Sequence, residues 1–451
     1  MKIVIIGCGK VGRSIVKHLV SEKHDITIID NNKEALESVM NANDVQGIYG
    51  NGAVKAIQEE AGVGKADIFI AVTDKDELNM ICCRTAETLG AKSSIARIRD
   101  TDYVDEYEFL RESLGIELLV NPEQAAAEEL CNILRFPFAT QVYNFNKGKV
   151  SSVEIKLPED SKLCGMTIRD IANEFDAAIH FAGVGRGEET FIPNGDFVLQ
   201  AEDRVVIVGK PIKIDAFFKS TEIFNKRVKS VLIIGGSRIS FYLTRMLAED
   251  GIKVKIIEKD KQRCKNLIES LDKVEIINAD GALKHVLDEE NLSSYDACIG
   301  LTGLDEQNII ISLYAKTKQV ETTIAKVNYD MFTEILDEIG LNATVSPKEV
   351  IANQIVLYSR SLKAKNDGEL VTLYKILDGG AELLEFNIKD HEELVGKAIK
   401  DIKLKQNIYI SSIVRKNQVV SPSGDEILQE NDTVIVSTTD KGLKKVNDIL
   451  R

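Results

Sequence analysis

The chain has 451 residues, of which 44% are hydrophobic, and its 57 basic and 71 acidic side chains give a formal net charge of −14. This length exceeds the size at which one hydrophobic core keeps growing, so we expect about four domains. The acidic balance argues against binding to nucleic acid or anionic lipid, because both reward clustered Lys and Arg. Since no run approaches about eighteen uncharged apolar residues, we expect no direct membrane insertion, and any membrane association should go through a protein partner.

Short runs rich in Val and Ile alternate with helical stretches such as 12–21 and 76–89 in the first part of the chain. The runs are 3–6, 26–29, 45–48, 67–72, 94–98 and 116–119. This alternation is typical of βαβ units and a parallel sheet. Because it returns from about residue 230 to 345, the sequence predicts an α/β protein with Rossmann-like parallel-sheet domains at 1–121 and 228–346.

A proline-opened helical stretch follows each predicted sheet, at 122–138 and 347–366. A proline is pre-set for the first turn of a helix, so each stretch is predicted to be one linking helix. Short alternating strands come next and predict a small α+β domain in each half, at 139–222 and 369–451. Segments 209–227 and 359–370 are rich in Lys and Ser with few apolar periodicities, and they are predicted to be linkers.

The two halves repeat one another over nearly the whole chain. The segment Gly7 to Gly12 returns as Gly235 to Ser240, and the acidic end of a strand at Asp30 returns at Glu258. A period this long excludes a solenoid, so each copy consists of one or two domains. The seven cysteines show no C-x-x-C and no metal-ligand spacing, and they are interpreted as reduced core residues of a cytosolic protein without a metal site.

The motif that carries chemistry is G-x-G-x-x-G, formed by Gly7, Gly9 and Gly12 between a predicted strand and a predicted helix. The first glycine permits a tight turn, the second lets the backbone approach a pyrophosphate, and the third lets helix and strand pack closely. Asp30 at the end of the next strand can accept hydrogen bonds from an adenosine ribose. Its carboxylate repels a 2′-phosphate, so NAD or an adenine nucleotide is expected rather than NADP.

Three further residues fall at the ends of later predicted strands of the first copy: Thr73, Asp74 and Arg97. Ligands meet an open α/β sheet at the carboxyl ends of its strands, so these side chains are candidate ligand contacts. Ordinary strand-end and loop residues are the alternative interpretation.

In the second copy, Ser237 and Ser240 replace the second and third glycines. A side chain at the second position hinders approach of the backbone to phosphate, and one at the third crowds the helix against the strand. The second site is therefore expected to be weaker, different in its ligand, or empty.

No residue pattern supplies the groups for hydride transfer, and P-loop, zinc-peptidase and esterase motifs do not occur. Tyr143/Lys147 and Tyr314/Lys318 match Tyr-x-x-x-Lys, but the first pair falls in a predicted strand and the second in the copy with the altered glycines, so both are interpreted as incidental. A nucleotide site without catalytic groups suggests a non-enzymatic sensor. The alternatives are an NAD-dependent oxidoreductase and a redox or energy sensor acting on a soluble partner.

The order of a Rossmann unit, a linking helix and a small domain, followed by all of it again, closely resembles the TrkA family. The stretches that carry the resemblance are Ala71-Val72-Thr73-Asp74, continued by Glu77-x-Asn79-Met80, and Ile95-Ala96-Arg97. These are the cytoplasmic regulatory subunits of Trk potassium-uptake systems, built from tandem RCK domains. The resemblance implies binding of NAD(H), or alternatively ADP or ATP, in the Rossmann-like domains. It also implies a homo-oligomer, a dimer or a tetrameric ring, on the cytoplasmic face of a TrkH-like potassium channel subunit.

Carried over to this chain, the resemblance implies a set of nucleotide contacts in each copy. In the first copy they are Gly7, Cys8, Gly9, Lys10, Val11, Gly12, Asp30, Thr73, Asp74 and Arg97. In the second copy they are Gly235, Gly236, Ser237, Arg238, Ile239, Glu258, Thr302 and Lys326, with the two serines putting that site in question.

Overall fold

The computed structural model describes residues 1–146, 148–175, 178–221, 228–329, 344–367, 370–389 and 393–451. The chain forms two compact units, and each unit takes residues from both halves of the sequence. The first unit comprises residues 1–134 and 228–356, and the second comprises 135–227 and 357–451. The first unit thus holds both Rossmann-like domains and the second holds both small domains.

The first Rossmann-like domain is built from alternating strands and helices. The strands are β1 (Lys2–Ile6), β2 (Asp25–Asp30), β3 (Gln46–Tyr49), β4 (Ile68–Ala71), β5 (Ser94–Arg97) and β6 (Leu118–Val120), and the helices are α1 (Lys10–Ser21), α2 (Lys33–Ala42), α3 (Lys55–Glu60), α4 (Asp76–Leu89), α5 (Tyr107–Leu114) and α6 (Pro122–Arg135). The strands pair in parallel in the order β3-β2-β1-β4-β5-β6. The order reverses between β1 and β4, and such a switch point opens a crevice at the carboxyl ends of the strands.

The first small domain contains β7 (Ala139–Phe145), β8 (Val150–Lys156), α7 (Ile168–Phe175), β9 (Ile179–Arg186), β10 (Glu189–Phe191), β11 (Arg204–Gly209) and α8 (Pro211–Thr221). Its antiparallel sheet has the order β10-β9-β11-β8-β7. The predicted linker at 209–227 is wrong over α8, because Ile214, Phe217 and Phe218 recur at helical spacing and are buried in the core of this domain. Residues 222–227 of that prediction lie outside the described part.

The second Rossmann-like domain repeats the first. Its elements are β12 (Ser230–Ile234), α9 (Arg238–Glu249), β13 (Lys253–Glu258), α10 (Lys261–Ser270), β14 (Glu275–Asn278), α11 (Lys284–Glu289), β15 (Ala297–Gly300), α12 (Asp305–Thr317), β16 (Thr322–Lys326), β17 (Thr344–Val345) and α13 (Pro347–Asp367). The parallel sheet has the order β14-β13-β12-β15-β16-β17.

The second small domain contains β18 (Leu370–Ile376), β19 (Ala381–Asn387), β20 (Ile408–Arg415), β21 (Gln418–Val420) and β22 (Thr433–Thr438), in the antiparallel order β18-β19-β22-β20-β21. The predicted linker at 359–370 is wrong, since α13 continues to Asp367 and β18 begins at Leu370. Residues 368 and 369 lie outside the described part. The predicted fold class, two parallel-sheet domains each with a small α+β domain, is confirmed.

The linking helices of the first unit pack across the repeat. Ala127, Leu130 and Leu134 of α6 share one hydrophobic core with Val231 of β12 and Leu243 of α9, so the helix that ends the first Rossmann-like domain completes the core of the second. No helix among the described residues is both long enough and apolar enough to span a bilayer.

Candidate functional site

The first glycine loop joins β1 to α1 at the point where the strand order reverses. Gly7 has φ +109°, a value that L side chains rarely adopt. A Cβ atom at Gly12 would lie 1.9 Å from the carbonyl oxygen of Gly7, so the loop and the helix approach each other too closely for any side chain there. At Gly9 a Cβ atom would meet nothing within 4 Å, which leaves open space in front of the loop. Gly9 is also the N-cap of α1 and has no side chain to accept a first-turn N–H group.

Asp30, at the end of β2, holds this loop in place. Its Oδ2 accepts the N–H of Cys8 at 2.5 Å, and its Oδ1 accepts the N–H of Asn32 at 2.7 Å. An ionised carboxylate has about four acceptor sites, so the two remaining ones suit ribose hydroxyls. Burial, followed by the neighbouring Asp30 charge, raises the pKa of the Cys8 thiol to about 12, so this thiol stays protonated beside the loop.

Thr73 and Arg97 meet on the other side of the loop. A Cβ atom at Gly7 would lie 3.1 Å from the amide nitrogen of Thr73, which shows how closely the two segments pass. Arg97, from the end of β5, donates from Nη2 to the carbonyl oxygen of Thr73. Burial, and then the positive charge of Arg99, lowers the pKa of Arg97 to about 10, so its guanidinium remains charged at neutral pH.

Asn79 of α4 fastens these strand ends together, although the sequence analysis did not single it out as a site residue. Its Oδ1 accepts from the Thr73 amide at 2.8 Å and from the Thr73 hydroxyl at 2.7 Å, and its Nδ2 donates to the carbonyl oxygen of Arg97 at 2.8 Å. Asn308 repeats the arrangement with Thr302 and Lys326 in the second copy. The recurrence of T-x-x-x-x-x-N in both copies is the sequence signal that could have identified it.

Beside Arg97 lies a group of polar atoms that are buried and have no hydrogen-bond partner among the described residues. They are Asp76 Oδ1, Arg97 Nε, Arg99 Nε and Glu123 Oε2. Buried polar groups are normally paired, so such a group marks a place where water or a polar ligand completes the bonding. Asp74 is exposed next to it, and its carbonyl oxygen accepts from Arg99 Nη2 at 2.7 Å. The residues predicted for the first site are thus gathered at one edge of the sheet.

The second glycine loop has the same backbone path and different chemistry. Gly235 has φ +105°, and Glu258 accepts the N–H of Gly236 at 2.6 Å as Asp30 accepts that of Cys8. Ser237, however, caps α9 by accepting the N–H of Ser240 at 3.4 Å, and Ser240 Oγ donates to the Gly235 carbonyl oxygen at 2.5 Å while it accepts the Ser237 N–H at 3.2 Å. The loop thereby satisfies groups that a phosphate uses at a helix N-terminus.

The remaining predicted residues of the second site also reach the same edge. Thr302 follows β15, and Lys326 ends β16 and donates from Nζ to the Thr302 carbonyl oxygen at 2.5 Å. Burial lowers the pKa of Lys326, and Lys10 of the first loop lowers it further. Arg238 is exposed and Ile239 is buried in the core.

Lys10 and Val11 complete the first loop. Lys10 extends toward the second copy, where its Nζ lies 5.5 Å from the centre of the Tyr329 ring. Val11 is half-buried in the first turn of α1. Lys10 is therefore the loop side chain that reaches from the first copy to the second.

Tyr314 and Lys318, one of the two Tyr-x-x-x-Lys pairs, do not join either site. Tyr314 and Lys318 both bind Asp288, each at 2.7 Å. Helix α12 begins at the carboxyl ends of the strands, so these residues at its other end lie at the opposite edge of the sheet. Tyr143 lies in β7, as the strand prediction required, and Lys147 lies outside the described residues.

A cavity of about 750 Å³ lies in the second unit, and the sequence did not predict it. Its lining includes Arg169, His180, Asn194, Tyr409 and Ser421. His180 Nδ1 lies 2.8 Å from the Tyr409 hydroxyl, and its Nε2 lies 3.0 Å from Ser421 Oγ. Both small domains therefore contribute polar groups to this concave site.

Comparison with known proteins places these domains in one family. The TrkA-N domain model matches residues 3–122 and 231–347, and the TrkA-C domain model matches residues 153–221 and 383–451. A Trk system potassium uptake protein TrkA homolog of Archaeoglobus fulgidus is 32% identical over 100% of both chains. The TrkA homolog 1 of Methanosarcina mazei is 33% identical over 97% of each chain.

Solved structures show the same fold. A GsuK channel bound to NAD matches with a TM-score of 0.64 at 19% identity, over 98% of this chain and 77% of that one. The GsuK RCK domain matches with a TM-score of 0.62 at 18% identity, over 98% and 92% of the two chains. With both domain models present twice and full-length relatives above 30% identity, this chain belongs to the TrkA family.

Proposed function

We propose that this protein is the cytoplasmic, nucleotide-sensing regulatory subunit of a Trk-type potassium uptake system. The first glycine loop supports nucleotide binding most directly, because it leaves open space at Gly9 and an N-cap that has no side chain of its own. A helix N-terminus of this kind favours the negative charge of a pyrophosphate. The residues present therefore fit an adenine dinucleotide or an adenosine phosphate.

In this proposal the residues of the first site have distinct roles. The loop Gly7 to Gly12 faces the phosphates, and Asp30 accepts from the ribose while it clamps the loop through Cys8. Thr73, Asp74 and Arg97 border the remaining space, where the charge of Arg97 and the unpaired polar atoms beside it suit a polar group of the ligand. NAD(H) is the proposed ligand, and ADP or ATP is the alternative because the ribose contact is common to all of them.

The second loop is proposed to be a poor phosphate site. Ser237 and Ser240 bond to each other and to Gly235, so a phosphate must compete with hydrogen bonds already made inside the protein. Glu258, Thr302 and Lys326 keep the same framework without an open loop.

The partner in this proposal is a TrkH-like membrane channel subunit on whose cytoplasmic face the protein assembles as a homo-oligomeric ring. The relatives' names refer to a Trk potassium uptake system. The net charge of −14 is consistent with recruitment by a protein rather than by anionic lipid. Nucleotide binding acts by shifting the balance between two conformations of the Rossmann-like pair, and no chemical step is required.

Isothermal titration of the full-length protein with NAD, NADH, ADP and ATP tests the sensor. We expect binding with one site per chain, and no binding of any of the four contradicts it. Potassium flux through proteoliposomes that contain the channel subunit and this protein tests the regulation. Equal flux with and without a nucleotide that binds contradicts the regulatory role, and steady turnover of NADH with a small substrate supports the oxidoreductase alternative instead.

A further inference from the structure

The helix that starts at the first glycine loop touches the linking helix of the other half of the chain. Ser14 of α1 is buried, and its hydroxyl donates to Oε1 of Glu349 at 2.6 Å. His18, one turn further along α1, places its Nε2 3.4 Å from the other oxygen of the same carboxylate. Ser14 and His18 of α1 thus contact the two oxygens of one carboxylate in the first turn of α13.

Neighbouring groups on both helices orient the contact at Glu349. His18 Nδ1 donates to the carbonyl oxygen of Ser14 at 3.0 Å, which orients Nε2 toward Glu349. Lys348 Nζ lies 3.7 Å from Glu349 Oε1 and places a cation beside the carboxylate on the side of α13. Hydrogen bonds to a charged acceptor are stronger than neutral ones, so this contact resists separation of the two helices.

The contact connects the helix that begins at the first glycine loop with the second linking helix. Helix α1 carries the N-terminus that faces the proposed phosphates, and Ser14 follows Gly12 in the same helix. Helix α13 runs from the first compact unit, which ends at residue 356, into the second. A rigid helix carries a shift at its first turn to side chains further along, so a change at the glycine loop would move Ser14 and His18 relative to Glu349.

The other half of the repeat contains an equivalent contact. Tyr242 of α9 accepts on its hydroxyl from Nδ2 of Asn121 at 3.0 Å, and Asn121 Oδ1 accepts the first N–H groups of α6. Each glycine-loop helix therefore contacts the start of the linking helix that belongs to the other copy. Because the second loop is closed by Ser237 and Ser240, the contact at Glu349 is the one that a nucleotide can drive.

We propose that Glu349, held by Ser14 and His18, is the coupling residue through which nucleotide in the first site repositions the second linking helix. This inference rests on the proposed nucleotide-binding function. In this proposal, nucleotide bound in the first copy moves α13, the linking helix of the second copy. Regulation therefore crosses between the two halves of one chain.

Hydrogen–deuterium exchange of the full-length protein, followed over residues 347–356 with and without saturating NADH or ADP, tests the coupling. We expect nucleotide to change exchange in this segment by at least about fivefold in the wild type, in the range of ordinary allosteric coupling. Ser14→Ala and Glu349→Ala should each remove that change, whereas Ser21→Ala should keep it. Ser21 is the matched control, since it lies on α1 and its hydroxyl donates to the carbonyl oxygen of His18 in the same helix.

Calorimetry on the same samples distinguishes a failure of the proposed nucleotide binding from a failure of the coupling role alone. Absence of nucleotide binding in the wild type overturns the proposed function and this inference with it. Binding without a change in the 347–356 segment, or an undiminished change in Glu349→Ala, overturns the coupling role alone. If Ser14→Ala does not fold, the Glu349 variant decides, because the side chain of Glu349 is 30% exposed and its removal opens no buried cavity.

Discussion

His180 and Tyr409 stand 229 residues apart and occupy the same position in the two small domains, yet the histidine Nδ1 lies 2.8 Å from the tyrosine hydroxyl. Each is the second residue of its strand, in β9 and β20. The repeat thus brings a residue against its own counterpart, and this hydrogen bond joins the two small domains within the second unit. Burial lowers the pKa of His180 from 6.5 to about 4, so the folded protein keeps the ring neutral.

The second unit should therefore lose stability in mild acid. The pKa of His180 is lower in the folded state than in the unfolded chain, so the unfolded chain binds more protons between pH 6.5 and about 4. Stability is full above pH 6.5 and falls as the pH drops through that window, by up to about 3 kcal/mol. Urea unfolding at pH 7 and pH 5 should show a smaller pH effect in His180→Gln than in the wild type.

The exposed His285 offers a control for this measurement. His285→Gln should keep the pH dependence of the wild type, because this side chain is not buried in either state. An identical pH dependence in His180→Gln and the wild type contradicts a neutral, half-buried His180.

Arg415 should be essential to the second small domain. It donates from Nε at 2.9 Å and from Nη2 at 2.8 Å to the two oxygens of Asp432, which is fully buried. Arg415→Met leaves that carboxylate without a cation, and breaking a buried pair in this way costs about 3–5 kcal/mol. Urea unfolding should reveal the loss, and Arg186→Met should give a similar one, because Arg186 forms the same forked pair with Asp203.

The exposed pair of Lys400 and Asp425 provides the contrast. Lys400→Met should change the unfolding free energy by less than about 1 kcal/mol, since surface ion pairs contribute little. Equal effects of the Arg415 and Lys400 variants contradict the structural role of the buried pair.

Asp30 and Glu258 should behave alike in stability and differently in binding. Each carboxylate accepts an N–H of its glycine loop, from Cys8 at 2.5 Å and from Gly236 at 2.6 Å. Asp30→Ala and Glu258→Ala should each lower the unfolding free energy of the first unit by about 2–4 kcal/mol, because two charge-assisted bonds are lost. Calorimetry should show that only Asp30→Ala abolishes nucleotide binding. Comparable loss of binding in Glu258→Ala shows that the second loop binds too.

Local patterns predicted most of the fold. The short Val/Ile runs became strands because both faces of a parallel sheet are buried, as in β4, where every residue is buried. The linker prediction failed at α8, where Lys residues on the exposed face obscured the spacing of Ile214, Phe217 and Phe218. The packing of α6 on the second Rossmann-like domain could not be predicted, since periodicity identifies an apolar face and not its partner.

The candidate site was predictable where backbone geometry dictates the residue, as at Gly7 and Gly12. Asn79 was missed as a site residue because its role depends on Thr73 and Arg97, which only the fold brings beside it. Ser240 shows a different limit. We expected a side chain there to crowd the helix against the strand, whereas its hydroxyl hydrogen-bonds to the Gly235 carbonyl oxygen and fits the space.

The two serines should be sufficient to keep the second loop from binding phosphate. The rest of the framework is present, with Gly235 at φ +105°, Glu258 on the loop amide, and Asn308 fastening the neighbouring strand ends. The double variant Ser237→Gly, Ser240→Gly removes the side-chain cap of α9 and the bond to the Gly235 carbonyl oxygen. Titration with the nucleotide that binds the wild type should then give two sites per chain instead of one.

Gly9→Ser provides the reciprocal change in the first loop. A Cβ atom at Gly9 meets nothing within 4 Å, so the variant should fold normally while its hydroxyl caps the first turn of α1. Its nucleotide affinity should fall by about tenfold or more, since the added side chain occupies the space in front of the loop and competes for the same amides. Two nucleotide sites per chain in the wild type, or one in the double variant, contradicts the proposal that Ser237 and Ser240 keep the second loop from binding phosphate. Unchanged affinity in Gly9→Ser contradicts the placement of the phosphates at the start of α1.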